Sequence, residues 1–109
     1  MEIEDAAVVL KVLGDPTRLT MMKILEHRTC CVCELVEIFP FSQPAISQHL
    51  RKLKDAGLVR EEKRGQWNFY SIDSTSVHYA MIQPILAQLA DQEEKIKQLE
   101  KASKKINCC

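Results

Sequence analysis

The sequence predicts a mainly α-helical fold of the α+β type, with about five helices and one two-stranded β-hairpin placed late in the helical order. Three observations carry this. Apolar residues recur at spacings of three and four in four separate stretches before residue 57 and again beyond residue 75, the period of a half-buried helix. One stretch only, about residues 59–72, turns to aromatic and β-branched residues around Arg64-Gly65-Gln66, the signature of a hairpin. The 109 residues hold 3 Gly and 4 Pro, with 46% hydrophobic and 28% charged residues, so no disordered, collagen-like or low-complexity segment interrupts the pattern.

Each element follows from local chemistry. Ile3, Ala6, Ala7, Leu10 and Leu13 place a helix over about 2–13, with Gly14 as its stop. Asp15-Pro16 supplies an N-cap and a proline at the first helical position, opening a helix over about 16–27 in which Leu19, Met22, Ile24 and Leu25 are apolar. Val32, Leu35, Val36 and Phe39 keep helical spacing over about 31–39 until Pro40 ends the run. Ser42 caps a helix over about 42–56 whose inner stripe is Ile46, Leu50 and Leu53, with Gly57 after it. The hairpin spans about 59–72. The remainder, about 75–106, reads as one long helix with an apolar seam of Ile82, Ile85, Leu86, Leu89, Ile96, Leu99 and Ile106, broken by Gln92 and Ser103. Pro84 predicts a kink, or a helix start near Gln83.

Residues 1–109 fit a single domain, and a domain of this size buries only about two-thirds of its unfolded-chain surface. The terminal helices carry apolar stripes that such a small middle cannot cover, so the long last helix is expected to pair with a second copy as a homodimer. No apolar run approaches the roughly 18 residues of a membrane span. The first residues, Met1-Glu2-Ile3-Glu4-Asp5, are acidic where an export signal is basic. A soluble, cytoplasmic protein with no membrane partner is expected. Under reducing conditions, five cysteines point to metal binding or thiol chemistry rather than to a disulfide framework.

Lys+Arg and Asp+Glu balance at 15 each, so no basic coat covers the whole chain. Charge is local instead: Ser42 to Tyr70 carries an excess of three positive charges. Two short helices, a turn and a polar-faced helix form a helix-turn-helix, and the hairpin makes it winged. With Ile46 in the core, Gln48 and Arg51 point outward and Ser47 and Lys52 flank them. Glutamine suits adenine, arginine suits guanine and serine either, while Lys52, Lys54 and Arg64 suit phosphates of double-stranded DNA. Ser42 and Gln43 at the helix start and Gln66 at the hairpin turn complete the candidate face. His49 falls toward the buried side, where a hydrogen-bonded structural role and a phosphate contact are both open. A solvated helix face explains the charge better than DNA binding does, but not the ordered sequence of cap, polar helix, glycine and aromatic hairpin.

Cys30, Cys31 and Cys33 crowd the opening of the third helix, where exposed amides and the helix dipole favour thiolate. Thiolates select soft ions such as Cu(I), cadmium, lead or trivalent arsenic. Residues two apart on a regular helix point about 200° apart. Cys31 and Cys33 therefore clasp one ion only if the first turn is unwound, whereas Cys30 and Cys33 share a face. Cys108 and Cys109 are either a source of a third thiolate or spare thiols of a tail. The C-x-x-C within this cluster follows no strand of a βαβ unit, so an enzyme is not expected. Thiol oxidation releasing DNA is an alternative use of the same residues.

The runs Leu13-Gly14-Asp15-Pro16-Thr17-Arg18, Cys31-Val32-Cys33-Glu34-Leu35, Ser42-Gln43-Pro44-Ala45-Ile46-Ser47-Gln48-His49-Leu50 and Ala56-Gly57-Leu58-Val59 before an Arg-Gly hairpin together resemble the ArsR/SmtB metal-sensing repressors. The resemblance covers about residues 8–72. It implies a dimeric winged helix-turn-helix repressor that sits on a palindromic operator and leaves it when metal binds. Cys31 and Cys33 match the cysteine pair of the arsenic-responsive members, implying As(III) or Sb(III) held by three thiolates. Some members carry a third cysteine three residues further on; here Val36 stands there, which leaves Cys30, Cys108 and Cys109 as candidates. Cadmium and lead sensors add cysteines from an N-terminal extension, and zinc sensors use Asp and His pairs on the last helix, where His78 is the only histidine. As(III)/Sb(III) is thus the implied inducer and Cd(II)/Pb(II) the alternative.

Overall fold

The computed structural model describes residues 1–106. In chain order these form α1 (Ile3–Val12), α2 (Pro16–Leu25), β1 (Cys30–Cys31), α3 (Val32–Ile38), α4 (Gln43–Asp55), β2 (Val59–Arg64), β3 (Trp67–Ile72), α5 (Val77–Ala87) and α6 (Glu93–Ile106). The expected caps form. The Asp15 carboxylate accepts from the Arg18 amide at 3.0 Å, with Pro16 opening α2. Ser42 Oγ accepts from the Ala45 amide at 3.3 Å at the start of α4. After α4, Gly57 takes a φ of 75°, which lets the Leu58 amide reach back to the Leu53 carbonyl at 3.0 Å. A Cβ at Gly57 would also stand 2.7 Å from His78 Nδ1. Gly57→Ala is therefore expected to lower stability by about 1–3 kcal/mol, mainly from the left-handed backbone, read as an earlier urea midpoint.

The core gathers Ile46, Leu50 and Leu53 of α4 against Met21, Met22 and Ile24 of α2, with Leu35 of α3 between them, all fully buried. This sets the outward face of α4 by exclusion. Among the described residues, no helix is long and apolar enough to cross a membrane.

Four sequence expectations change. First, the hairpin belongs to a three-stranded antiparallel sheet in the order β1-β3-β2, with Cys30 opposite Tyr70 and Cys31 opposite Phe69. A two-residue strand is too short to show a period.

Second, the long last helix is two helices, so the described chain has six. Residues 88–92 interrupt it, and at the start of α6 the Asp91 carboxylate accepts from the Glu93 amide at 3.2 Å. Pro84 marks neither a start nor the break; it lies inside α5 on the exposed side.

Third, α6 turns back onto α3 with Leu99 and Ala102 buried and Ile96 packed against the core. It thereby covers within one chain part of the seam that the sequence assigned to a second copy. Ile82 and Leu86 are buried as well, while Ile85 and Leu89 remain exposed. The buried Lys23 ammonium donates to the Leu86 carbonyl at 3.0 Å, answering an acceptor at the end of α5.

Fourth, α1 buries Val9, and Leu13 just after it, not the full stripe expected: Ile3 is 84% exposed and Leu10 52%.

Candidate nucleic-acid interface and thiol site

α4 presents Gln48, Arg51 and Lys52 to solvent on the side away from its buried stripe, with Ser42 and Gln43 exposed at its opening and Ser47 half-buried. Ser47 and Arg51 line a groove of about 510 Å³ between α4 and the hairpin, closed on the sheet side by Asn68 and Tyr70. Lys54, assigned from sequence to phosphate, is part of a clamp in the DNA-free chain: its ammonium meets Glu61 Oε1 at 2.9 Å while Tyr70 donates its hydroxyl to Glu61 Oε2 at 2.7 Å. The Tyr70 hydrogen bond, then the Lys54 ammonium, hold the Glu61 carboxyl below its ordinary range. Burial, then Glu61, push the Tyr70 hydroxyl up. The clamp joins the reading helix to the hairpin, so the two present one surface.

At the turn, Gly65 takes a φ of 62°. Arg64 lies over the Phe69 ring at 4.6 Å and pairs with both oxygens of Glu62 at 3.2 Å. An exposed pair of this kind contributes little to stability, so a phosphate oxygen can compete for the guanidinium. Gln66 is exposed beside it.

His49 takes the first of the two roles left open. Its Nδ1 lies 3.1 Å from an Arg18 terminal nitrogen, and Arg18 Nε donates to the Val12 carbonyl at 2.6 Å, tying α4 to the α1–α2 connection. Arg18 can only donate, so Nδ1 accepts and the ring is neutral. Burial lowers the His49 pKa from 6.5, against an opposing pull from Asp15. A depressed folded-state pKa means that the unfolded chain binds the proton more readily. This contribution is present above about pH 6.5 and is lost as pH falls through the folded value. Urea midpoints are expected to fall on acidification below about pH 6.5 in the native chain, and less steeply in His49→Gln.

Cys31 is the N-cap of α3 in extended backbone (φ −92°, ψ 161°), one residue ahead of the helix, and Cys33 is in the first turn. The 200° separation argued for two helical positions therefore does not apply. Their Cα atoms are 5.5 Å apart, and the two sulfurs are joined as a disulfide. Cys30 is corrected in the opposite sense. Successive strand residues face opposite sides, so Cys30 packs in the main core, its Sγ 3.7 Å from the Arg28 carbonyl, and shares no face with Cys33. Cys31 and Cys33 instead form a small separate cluster with Phe69 and Trp67. Cys108 and Cys109 lie outside the described residues. Among the described residues, no three His, Cys, Asp or Glu side chains converge to hold an ion.

One residue at this site went unread. Glu34 is fully buried: Oε2 pairs with Arg28 at 2.7 Å, and Oε1 accepts from the Cys31 amide at 2.9 Å, while Cys31 Sγ accepts in return from the backbone at Glu34. The spacing Cys31-x-x-Glu34 is that of a capping box with sulfur in place of a hydroxyl, a signal present in the sequence. The thiol pair also shares a cavity of about 200 Å³ with Gln43 and Ser47 of α4 and with Gln66 and Trp67 of the hairpin. The structure thus brings the sulfur site and the reading surface to a common wall.

A helix-turn-helix whose polar reading helix is clamped to an exposed hairpin defines a DNA-binding transcriptional regulator of the winged type. Residues 15–61 match the family described as bacterial regulatory protein, arsR family. The chain is 49% identical over 70 residues to an uncharacterized HTH-type transcriptional regulator of Methanocaldococcus jannaschii, covering 63% of this chain and 79% of that one. It is 37% identical over 79 residues to the arsenical resistance operon repressor of Staphylococcus xylosus, covering 72% and 76%. The structure of HlyU from Vibrio cholerae matches with a TM-score of 0.66 at 38% identity, over 78% of this chain and 94% of that one. This chain belongs to the arsR family of bacterial regulatory proteins.

Proposed function

We propose that the chain represses transcription as a homodimer on operator DNA in the cytoplasm, and that As(III) or Sb(III), taken up by Cys31 and Cys33, releases it. The observation that carries this reading is the cavity shared by the two sulfurs, Gln43 and Ser47 of the reading helix, and Gln66 of the hairpin. Thiolates are soft ligands that suit thiophilic ions. With the disulfide reduced to two thiols by a cellular thiol, an ion bound by both sulfurs takes Cys31 Sγ out of its capping contact and presses on the wall that positions α4 against the hairpin. The arsenical resistance operon repressors among the relatives support the choice of inducer. Cd(II) or Pb(II) is the alternative ion for the same sulfurs. Exposed Ile3 and Leu10 on α1, Ile85 on α5 and Leu89 just after it support a second copy. In that dimer the two reading helices should stand about 34 to 36 Å apart, one turn of the duplex.

Cys33→Ser is expected to bind operator DNA as the native chain does and to lose arsenite-induced release. Release that persists in Cys33→Ser means that the pair is not the switch. In the same assay, Gln48→Ala or Arg51→Ala should lose about 1–3 kcal/mol of base discrimination each, whereas Lys52→Ala should weaken all sequences alike and flatten the salt dependence. The disulfide favours a second reading, in which oxidation of Cys31 and Cys33 is itself the signal. That reading requires peroxide alone to release the metal-free, reduced repressor.

A further inference from the structure

We infer that Lys63 and Asn68, on the side of the hairpin that faces α4, hold one phosphate of the DNA strand that runs in the groove between the two. The inference rests on the DNA-binding reading above and adds two contacts to it.

The dimensions of the duplex carry the first step. An α-helix with its side chains is about 10–12 Å across, and the major groove is about 12 Å wide. A helix seated in that groove leaves no room there for a two-stranded hairpin as well. Lys54, Glu61 and Tyr70 fix the hairpin beside α4 through contacts of 2.9 Å and 2.7 Å. A hairpin held in this way has to lie across a strand that borders the groove, and that strand runs in the space between hairpin and helix. The space is the groove of about 510 Å³, with Ser47 and Arg51 on its α4 side and Asn68 on its hairpin side.

Register and charge then select the residues. Glu61 stands opposite Tyr70 and Lys63 opposite Asn68. Residues directly opposite, like residues two apart on one strand, share a face of a sheet. The contact of Glu61 with Lys54 therefore assigns all four to the face toward α4. Glu61 and Tyr70 occupy each other at the base of the hairpin, whereas Lys63 and Asn68, two residues nearer the turn, are exposed. Along the groove Arg51 and Lys54 offset Asp55 and Glu61, so Lys63 brings the positive charge that is not already balanced. The Asn68 amide adds a neutral donor beside it. Lysine and asparagine both serve as phosphate contacts, which position a protein on the duplex without reading its sequence.

The test uses the full chain and a duplex that it selects from a randomised pool, with a random duplex as the comparison. Lys63→Ala is expected to weaken binding to both duplexes alike and to lower the slope of log affinity against log salt by about 1. Asn68→Ala is expected to weaken both about five- to tenfold with the slope unchanged, the mark of a neutral phosphate donor. Asn68→Asp, which keeps the shape and offers a negative charge instead of a donor, should bind more weakly still. A single methylphosphonate, which removes the charge of one phosphate, is then moved along both strands of the selected duplex. At one position in each half-site it should weaken the native chain and leave the Lys63→Ala/Asn68→Ala double variant unchanged. Variants that bind as the native chain does, or that lose affinity for the selected duplex alone, overturn the inference and leave the DNA-binding reading standing. A methylphosphonate pattern that is the same for the native chain and the double variant does so too. Failure of the native chain to bind any duplex overturns both.

Discussion

Glu34→Ala is expected to destabilise the folded chain by about 3 kcal/mol, at the lower end of the range for removing one partner of a buried ion pair. The carboxylate is fully buried and answers two donors, the Arg28 guanidinium at 2.7 Å and the Cys31 amide at 2.9 Å. Its loss leaves the Cys31 amide buried without this acceptor and removes one half of the capping box that starts α3. Arg28 keeps a quarter of its side chain in solvent and can turn outward, which holds the figure below the upper range. Urea unfolding measures the loss. Because Cys31 is the cap residue, Trp67 fluorescence should also change in the folded variant. A Glu34→Ala chain as stable as the native one would show that the buried pair does not secure α3.

Leu50→Ala is expected to cost about 3 kcal/mol, as a fully buried leucine leaves a cavity that its neighbours only partly fill. Gln48→Ala, two residues earlier and exposed, should change stability by no more than about 0.5 kcal/mol while losing base discrimination. The pair separates the two faces of α4 in one experiment: denaturation finds Leu50, and competition between cognate and random duplexes finds Gln48. The reverse pattern would rotate the reading helix and reassign its contacts.

The reading helix was legible because its two faces differ in chemistry and its ends carry explicit signals. Ile46, Leu50 and Leu53 mark one side, Ser42 the start and Gly57 the stop, and all five behave as these local rules require. The hairpin was legible for a similar reason, with its register set across Gly65 so that Arg64 lies opposite Trp67. The partners of charged residues were not. Whether Lys54 meets phosphate or Glu61 depends on where β2 falls against α4, and nothing within either segment states this. His49 was open between two roles until folding placed Arg18, 31 residues away in sequence, at its ring.

By itself the sequence determined which segments are helical, where α4 begins and ends, and that sulfur gathers before α3, because caps, periods and turns act over a few residues. Only the tertiary structure decided that Cys30 and Cys31 form a strand beside β3, which sends one sulfur into the core and the other toward Cys33. Only it decided that the final helix breaks and returns onto α3. The physical reason is common to both. Pairing a two-residue strand and burying Leu99 draw their free energy from surfaces built by distant segments, and those surfaces exist only once the chain has folded.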